Sequence, residues 1–347
     1  MTVTLESVAL SDRVVALLRD PFDVKLAESI FGTAEPLAIT ERVERFCRDR
    51  LGRAVVSCEE FVQSVGAVFV LRLETSEAVV LKFHTLGGGR LGTAGSLGEL
   101  RALYEVQAGL AKLVFPCAAV IHPPVAYEGG AVAAMAYLDG TRAQDPREPG
   151  VRRAMAEILA EFARVAMPMR DIPMLPIARL PHGLWPIPHN VLFDLGTPGG
   201  EWIDERARSA RAELDATSPE PMLLHTDISA ANVRVREGSV CAIYDMDSVA
   251  LVDEMRGLAG AAVHHTYTGD GRELRTSREE ARAFVADYEA ARGKSLALQE
   301  RERVNAAAVY AMAYTSRCEH SGDPDGLQTD GSMRSILREA PSRGYLA

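Results

Sequence analysis

The sequence predicts an α+β fold of two lobes, in which a small sheet-forming lobe precedes a larger helical lobe. Strand-like runs fill most of residues 54–136, helical periodicity prevails after residue 150, and a segment rich in Pro, Gly and charge separates them. A chain of 347 residues is long enough for one large domain or two lobes. We therefore expect a helical extension over 1–52, a first lobe over 53–140 and a second lobe over 141–347.

The first lobe begins with helix-like segments and continues into a meander of strands. The clearest helical segment is TERVERFCRDRLG, where Thr40 can cap the helix and Gly52 can end it. Three strand-like runs then follow over residues 54–85, separated by SVGA and ETSE. This spacing favours an antiparallel meander.

One helix and two further strands complete the first lobe. In SLGELRALYEVQAGLAKL, Ser96 and Glu99 have the spacing of a capping box, and apolar residues recur at helical intervals after them. Two strand-like runs surround the EGG turn in CAAVIHPPVAYEGGAVAAMAYLDG. The sequence therefore predicts a five-stranded antiparallel sheet with one helix.

A glycine-rich loop lies between the meander and this helix. Its GGGRLG stretch matches the dinucleotide-binding pattern at Gly87, Gly89 and Gly92. The predicted helix starts at Ser96 and not at the glycines, and no train of βαβ units follows, so a bound pyrophosphate would not meet a helix N-terminus. We therefore favour a plain loop over a dinucleotide site.

The second lobe shows mainly helical patterns. VRRAMAEILAEFARVAM, EWIDERARSARAELD, EEARAFVADYEAARG and ERERVNAAAVYAMAYTSRCEH each have helical periodicity, whereas the proline-dense residues 168–190 exclude a regular helix there. We expect a mainly helical lobe.

Charge and cysteine content limit the binding partners and the cellular compartment that we expect for this protein. A net charge of -10 argues against nucleic acid and is compatible with a cationic small molecule. Five scattered cysteines, none in a C-x-x-C arrangement, indicate neither disulfides nor zinc, and the pair His264 and His265 lacks a third ligand nearby, which favours a surface or substrate-pocket role. With no export signal and no apolar run of about 18 residues, we expect a cytoplasmic protein outside the membrane.

The stretch LLHTDISAANVRV carries the first candidate for chemistry. His225, Asp227 and Asn232 have the spacing of an H-x-D-x-x-x-x-N catalytic loop. Phosphoryl transfer needs a carboxylate beside the attacking hydroxyl and a neutral oxygen ligand for Mg²⁺, which Asp227 and Asn232 would provide. By spacing alone, ordinary turn residues are an alternative, and His225 has an orienting role rather than that of a base.

A second carboxylate follows in CAIYDMDS. With the turn REGS between them, NVRV and CAIYD form a predicted hairpin that carries Asn232 and Asp245 to the same side. A hard cation that bridges phosphates prefers at least one charged oxygen ligand from the protein. Asp247 is a further metal or substrate contact, or a solvent-facing residue.

The segment LLHTDISAANVRVREGSVCAIYDMDS resembles the catalytic segment of the aminoglycoside phosphotransferase and choline kinase family, with a pattern of roughly H-G-D-x-x-x-x-N followed by I-D-W-D. These are small-molecule kinases with a protein-kinase-like fold. The resemblance implies that fold, ATP or GTP as phosphate donor, and Mg²⁺ as cofactor. It also implies that Asp227 orients the acceptor hydroxyl, and that Asn232 and Asp245 bind the metal ion.

The resemblance extends into the first lobe. Lys82 in VVLKF corresponds to the family's phosphate-binding lysine, and Glu99 on the next helix is placed to form an ion pair with it. Glu99 could instead merely cap its helix, three residues after Ser96, with Glu105 as the next candidate for the pair.

The segment AAMAYLDG resembles the family's hinge between the lobes, where backbone groups hold the adenine edge. By that match Met135 would lie at the back of the nucleotide pocket, and the Ala136 carbonyl and the Leu138 amide would bond to the base. The nucleotide loop QSVGAVF is poor in glycine, which makes Ser64 to Ala67 weaker candidates.

The sequence departs from the family's motifs at several positions, among them Glu254, which stands for the proline of G-D-P-x-x-D-L-A. Thr226 stands for a glycine, and in VDEMRGLAG Gly257 stands for the second aspartate of G-D-P-x-x-D-L-A. In the family that aspartate stabilises the catalytic loop by hydrogen bonding. The sequence does not show what replaces it.

The sequence leaves two classes of phosphate acceptor open. One is an antibiotic such as an aminoglycoside, and the other is a sugar, choline or an amino alcohol. Four acids would suit a cationic acceptor or an ordinary surface: Asp253, Glu254, Asp270 and Glu319. A nucleotide-binding pseudokinase is an alternative, motivated by Gly257, and a dinucleotide oxidoreductase rests on GGGRLG alone.

Overall fold

The computed structural model describes residues 8–87, 94–143, 145–188, 193–269, 275–325, 331–341 and 344–346. The chain divides into two compact units, Met1–Asp139 and Gly140–Ala347, which we call the first unit and the second unit.

The first unit consists of three N-terminal helices, three strands, one helix and two strands. Their bounds are α1 Leu10–Leu17, α2 Pro21–Phe31, α3 Pro36–Phe46, β1 Val55–Gln63, β2 Gly66–Leu73, β3 Ala78–His84, α4 Leu97–Lys112, β4 Val120–Tyr127 and β5 Gly130–Ala136. The strands form one antiparallel sheet in the order β1-β2-β3-β5-β4. The predicted five-stranded sheet with one helix is confirmed.

Apolar side chains cover both faces of this sheet. One core cluster joins α1, α2 and α3 to β1, β2 and β3. Within it, the Phe31 ring of α2 lies with its centroid 6.3 Å from that of Phe69 and 5.1 Å from that of Phe83. A second, smaller cluster packs Leu100 and Tyr104 of α4 against β5. Because side chains alternate along a strand, β3 sends Phe83 to the first cluster and Lys82 to the face that α4 covers.

Helix α3 begins earlier than the sequence predicted. It starts at Pro36, since the fixed φ and missing N–H of proline suit the first helical turn. The predicted capping role of Thr40 is wrong, because its hydroxyl lies inside the helix and donates to the Pro36 carbonyl at 2.8 Å. The predicted stop is confirmed: a π-helical turn over Cys47–Leu51 ends at Gly52, which adopts a left-handed φ of 65°.

The second unit is mainly helical, as predicted. Its elements are α5 Pro149–Ala166, α6 Glu201–Asp215, β6 Met222–His225, β7 Val233–Arg236, β8 Ser239–Ile243, β9 Val249–Val252, α7 Glu254–His264, α8 Arg278–Arg292, α9 Leu298–Gly322 and α10 Met333–Glu339. The strands form two antiparallel pairs, β6 with β9 and β7 with β8. The β7–β8 pair is the predicted hairpin, with φ of 51° at Glu237 and 78° at Gly238 in its turn, as a type I′ turn requires.

Within the described ranges, no helix combines the length and the apolar character needed to cross a bilayer. All five cysteines have free thiols.

Candidate active site

The loop between β6 and β7 brings Asp227 and Asn232 into direct contact. The Asn232 side-chain nitrogen donates to the Asp227 carboxylate at 2.8 Å and to the Asp227 carbonyl at 3.0 Å. The backbone N–H of Asn232 donates to the Ser229 carbonyl at 3.0 Å, which closes the loop. Because the Asn232 nitrogen faces a carboxylate, its side-chain oxygen is the atom left for a cation or a donor.

His225, the last residue of β6, orients this loop from the interior. Its Nδ1 accepts a hydrogen bond from the Asp227 amide at 3.2 Å, and its Nε2 lies 3.0 Å from the Tyr244 carbonyl oxygen. Those partners fit the tautomer with the proton on Nε2. The side chain is buried, which agrees with the orienting role that the sequence suggested.

Backbone carbonyls at the C-terminal end of α7 support the middle of the loop. The Ala230 amide donates to the His265 carbonyl at 2.9 Å, and the Ala231 amide donates to the Tyr267 carbonyl at 2.8 Å. Sequence reasoning missed this support. The predicted surface or pocket role of the histidine pair is wrong for His265, whose side chain is fully buried.

Asp245 follows β8 and is joined to the loop through its neighbour. The Tyr244 amide donates to the Asn232 carbonyl at 2.8 Å, so the two segments that carry Asn232 and Asp245 are hydrogen-bonded to each other. Asp245 adopts a left-handed backbone with φ of 61°. The Ser248 hydroxyl donates to its carboxylate at 2.7 Å. A non-glycine residue in this conformation is uncommon, although aspartate adopts it more readily than most residues do.

The electrostatics of the site favour proton uptake by Asp227. Removal from water and the negative charge of Asp245 raise the pKa of the Asp227 carboxyl, against the opposing effects of His225 and the hydrogen bond from Asn232. A raised pKa makes a carboxylate a better proton acceptor near neutral pH.

The donor atoms here fit a hard divalent cation. Asn232 and Asp245 offer only oxygen ligands, and a cation would offset the repulsion between the Asp227 and Asp245 carboxylates. The described part of the chain holds no group of three or more His, Cys, Asp and Glu side chains able to bind a metal ion. One carboxylate and one amide oxygen suit Mg²⁺, which keeps water ligands and also binds substrate phosphates.

In the first unit, Lys82 lies on the central strand of the sheet. It pairs with Val68 of β2 and Ala133 of β5, and only 8% of its surface is exposed. Glu99 lies in the first turn of α4, where its carboxylate accepts a hydrogen bond from the Gly95 amide at 3.1 Å. The ion pair between Lys82 and Glu99 stays a prediction. The alternative, Glu105, lies exposed further along the helix.

The predicted hinge begins where strand pairing ends. Half-buried Met135 packs on the α4 cluster, Ala136 is the last residue of β5, and Leu138 lies two residues beyond it. Contact of the Ala136 carbonyl and the Leu138 amide with a base stays a prediction.

The other glycine signals have structural roles or lie outside the described residues. At Gly66 an added Cβ would lie 2.4 Å from the Phe83 carbonyl oxygen, so glycine is needed there for close strand pairing. Gly89 and Gly92 of GGGRLG lie outside the described residues.

The sequence model of the phosphotransferase enzyme family matches residues 64–307, more than half of the chain, including the catalytic loop. The chain belongs to this family. It is a small-molecule kinase, as the resemblance implied. No curated protein matches the chain's sequence closely enough to add to this assignment.

Solved structures share the fold of this phosphotransferase. A spectinomycin phosphotransferase in complex with ADP and spectinomycin has a TM-score of 0.53 and 10% identity, over 88% of this chain and 96% of that one. An amicoumacin kinase in complex with AMP-PNP and Ca²⁺ has a TM-score of 0.58 and 11% identity, over 84% and 90%. A Plasmodium vivax ethanolamine kinase has a TM-score of 0.53 and 9% identity, over 93% and 94%. These likenesses show the kinase-like fold.

Proposed function

We propose that this phosphotransferase moves the γ-phosphate of ATP, or of GTP, to a hydroxyl group of a small molecule, with Mg²⁺ as cofactor. One observation carries the proposal: Asp227 and Asn232 are hydrogen-bonded to each other, and the Asn232 segment is hydrogen-bonded to the segment that carries Asp245. This arrangement offers a proton acceptor beside a set of oxygen ligands for a cation. Phosphoryl transfer requires both.

Asp227 is the proposed catalytic residue. Its carboxylate orients the acceptor hydroxyl and takes its proton as the new oxygen–phosphorus bond forms and the bond to the leaving nucleoside diphosphate breaks. The raised pKa of this carboxyl suits that proton transfer. Asn232 and Asp245 would hold Mg²⁺, which supplies positive charge to the phosphates.

The nucleotide is proposed to bind through residues of the first unit. Lys82 would neutralise the α and β phosphates, with Glu99 as its proposed partner. The hinge residues Met135, Ala136 and Leu138 would hold the base. The nearly buried place of Lys82 in the central strand supports this role, because neighbouring strands restrict its movement.

The proposed acceptor is an antibiotic such as an aminoglycoside, with a sugar, choline or an amino alcohol as the alternative. Similar structures are named for spectinomycin, amicoumacin and ethanolamine. Three of the acids considered for a cationic acceptor are already paired with arginines: Asp253 with Arg303, Glu254 with Arg292 and Glu319 with Arg275. The fourth, Asp270, lies outside the described residues. A cationic acceptor would therefore need other acids.

The proposal is tested by an ATP-consumption screen over aminoglycosides, peptide and macrolide antibiotics, amino sugars, choline and homoserine. With the acceptor so found, Asp227→Ala should lower turnover by at least about 100-fold, because general-base catalysis is lost. Binding of ATP by the same variant should stay close to that of the wild type.

Asp171→Ala is the matched control, because the Asp171 side chain lies in the same unit and is 91% exposed. This variant should keep full turnover. Near-normal turnover by Asp227→Ala would contradict the mechanism. Nucleotide binding by the wild type without transfer to any acceptor would favour a pseudokinase.

A further inference from the structure

Arg234 on β7 contacts both segments that carry the proposed metal ligands. Its Nη1 donates to the carbonyls of Ala231 and Val233, at 3.1 and 3.0 Å, and these are the two residues that flank Asn232. Its guanidinium carbon lies 5.0 Å from the centroid of the Tyr244 ring, and Tyr244 directly precedes Asp245. One side chain thus joins the backbone around Asn232 to the residue before Asp245.

Neighbouring residues restrict the Cβ end of the Arg234 side chain as well as its guanidinium group. A Cβ added at Gly140 would lie 2.6 Å from the Arg234 Cβ and 2.8 Å from the Cys241 Sγ, so only glycine at 140 allows this approach. The β7–β8 pairing places Arg234 opposite Ala242. These contacts restrict the direction in which the guanidinium can point.

We infer that Arg234 is a positioning residue that fixes Asn232 and Asp245 relative to each other for cation binding. The inference rests on the proposed function. Groups that orient metal ligands typically change metal affinity by about 10–100-fold when they are removed. A planar guanidinium suits this role because it can donate to two carbonyls while its positive charge lies over an aromatic ring.

Whether replacing Arg234 weakens or strengthens cation binding distinguishes a positioning role from a simple effect of its charge. Arg234 is cationic, so by Coulomb's law alone its removal would strengthen the binding of a nearby Mg²⁺ or Mn²⁺ ion. Positioning predicts the opposite result. In Arg234→Lys the charge stays but the planar, forked donor is lost, so this variant should bind the cation no better than Arg234→Met.

The experiment measures Mn²⁺ binding by electron paramagnetic resonance with the full-length chain and a non-hydrolysable ATP analogue. We expect Arg234→Met to weaken Mn²⁺ binding about tenfold. Binding of the analogue in EDTA should stay unchanged, because the cation is absent. Turnover should recover as Mg²⁺ is raised, because Asp227 is intact.

Arg236→Met is the matched control, because Arg236 is exposed on the same strand and should leave Mn²⁺ binding unchanged. Circular dichroism checks that Arg234→Met is folded. If it is not, Tyr244→Leu tests the same inference, because it removes the ring that Arg234 contacts and should also weaken Mn²⁺ binding. Equal or tighter Mn²⁺ binding by folded Arg234→Met, or an equal loss of analogue binding in EDTA, would overturn the inference alone. Absence of any Mn²⁺–analogue binding by the wild type would overturn the proposed function as well.

Discussion

Gly257 occupies a buried position in α7 where the helix meets β6 with no room for a side chain. An added Cβ would lie 2.7 Å from the Leu224 Cδ1 and 3.7 Å from the Val252 Cγ1. The aspartate that the family resemblance implies at this position therefore does not fit beside this core. Support for the catalytic loop comes instead from the carbonyls of His265 and Tyr267.

Gly257→Ala should destabilise the protein, although alanine favours helix. Overpacking a core costs about 1–3 kcal/mol, whereas replacing glycine inside a helix recovers only about 1 kcal/mol. Gly260→Ala in the same helix is the matched control, because its added Cβ would meet nothing closer, in the part of the chain that the structure describes, than the Thr226 carbonyl oxygen, at 3.9 Å. Chemical denaturation compares the free energies of unfolding. A Gly257→Ala variant as stable as Gly260→Ala would show that the helix and strand have room at this position.

Single residues are predictable from the sequence where chemistry depends on side-chain type. The spacing predicted that Asp227 and Asn232 share one loop, and the structure joins them by a hydrogen bond. The carbonyls of His265 and Tyr267 could not be predicted, because every residue carries a carbonyl. Arg234 gave no signal either, since an arginine on a short strand is usually exposed.

The C-terminal end of α7 both supports the catalytic loop and buries the imidazole of His265. The His265 ring stacks on Phe284 with centroids 5.0 Å apart, and its Nδ1 lies 3.1 Å from the Ala262 carbonyl oxygen. Its Nε2 has no hydrogen-bond partner among the described residues. Burial lowers the pKa of His265 from its ordinary 6.5 to about 4.

This low pKa predicts that stability falls with acidification. Between pH 6.5 and about 4 the unfolded chain binds a proton at His265 that the folded chain does not. The free energy of unfolding therefore decreases as pH falls, with a slope that approaches about 1.4 kcal/mol per pH unit for this group. His265→Leu lacks that proton uptake, so its stability deficit relative to the wild type should shrink from pH 7.5 to pH 5.5.

Thermal unfolding at both pH values measures this difference. His182→Asn, a substitution at an exposed histidine, is the control and should keep a constant difference from the wild type. A constant difference for His265→Leu as well would mean that His265 takes up its proton in the folded state too.

Elements with characteristic turn residues could be predicted from the sequence. The pairing of two short apolar strands could not. The turn residues Glu237 and Gly238 fix the β7–β8 hairpin locally, and this pairing was predicted correctly. The pairing of β6 with β9 joins two short apolar strands, and such runs carry too little pattern to identify a partner. The start of α3 was missed because Pro36 initiates the helix four residues before the threonine that resembles a cap.

The N-terminal helices complete the core of the first unit. The sequence predicted a helical extension over 1–52 but not what it packs on. Helical periodicity identifies an apolar face and not its partner. In the structure that face meets a row of phenylalanines on the sheet, among them Phe69 and Phe83.

Substitution of the phenylalanines of α2 tests whether the extension and the sheet share one cooperative core. Phe31→Ala should lower the free energy of unfolding by about 3–5 kcal/mol, because it leaves a cavity between the helix and the sheet. Phe22→Ala on the same helix is the matched control: this side chain is 53% exposed, and its loss should cost no more than about 0.5 kcal/mol. Urea unfolding followed by far-ultraviolet circular dichroism measures both. If Phe31→Ala costs as little as Phe22→Ala, the packing does not stabilise the sheet, and residues 1–52 behave as the separate extension that the sequence predicted.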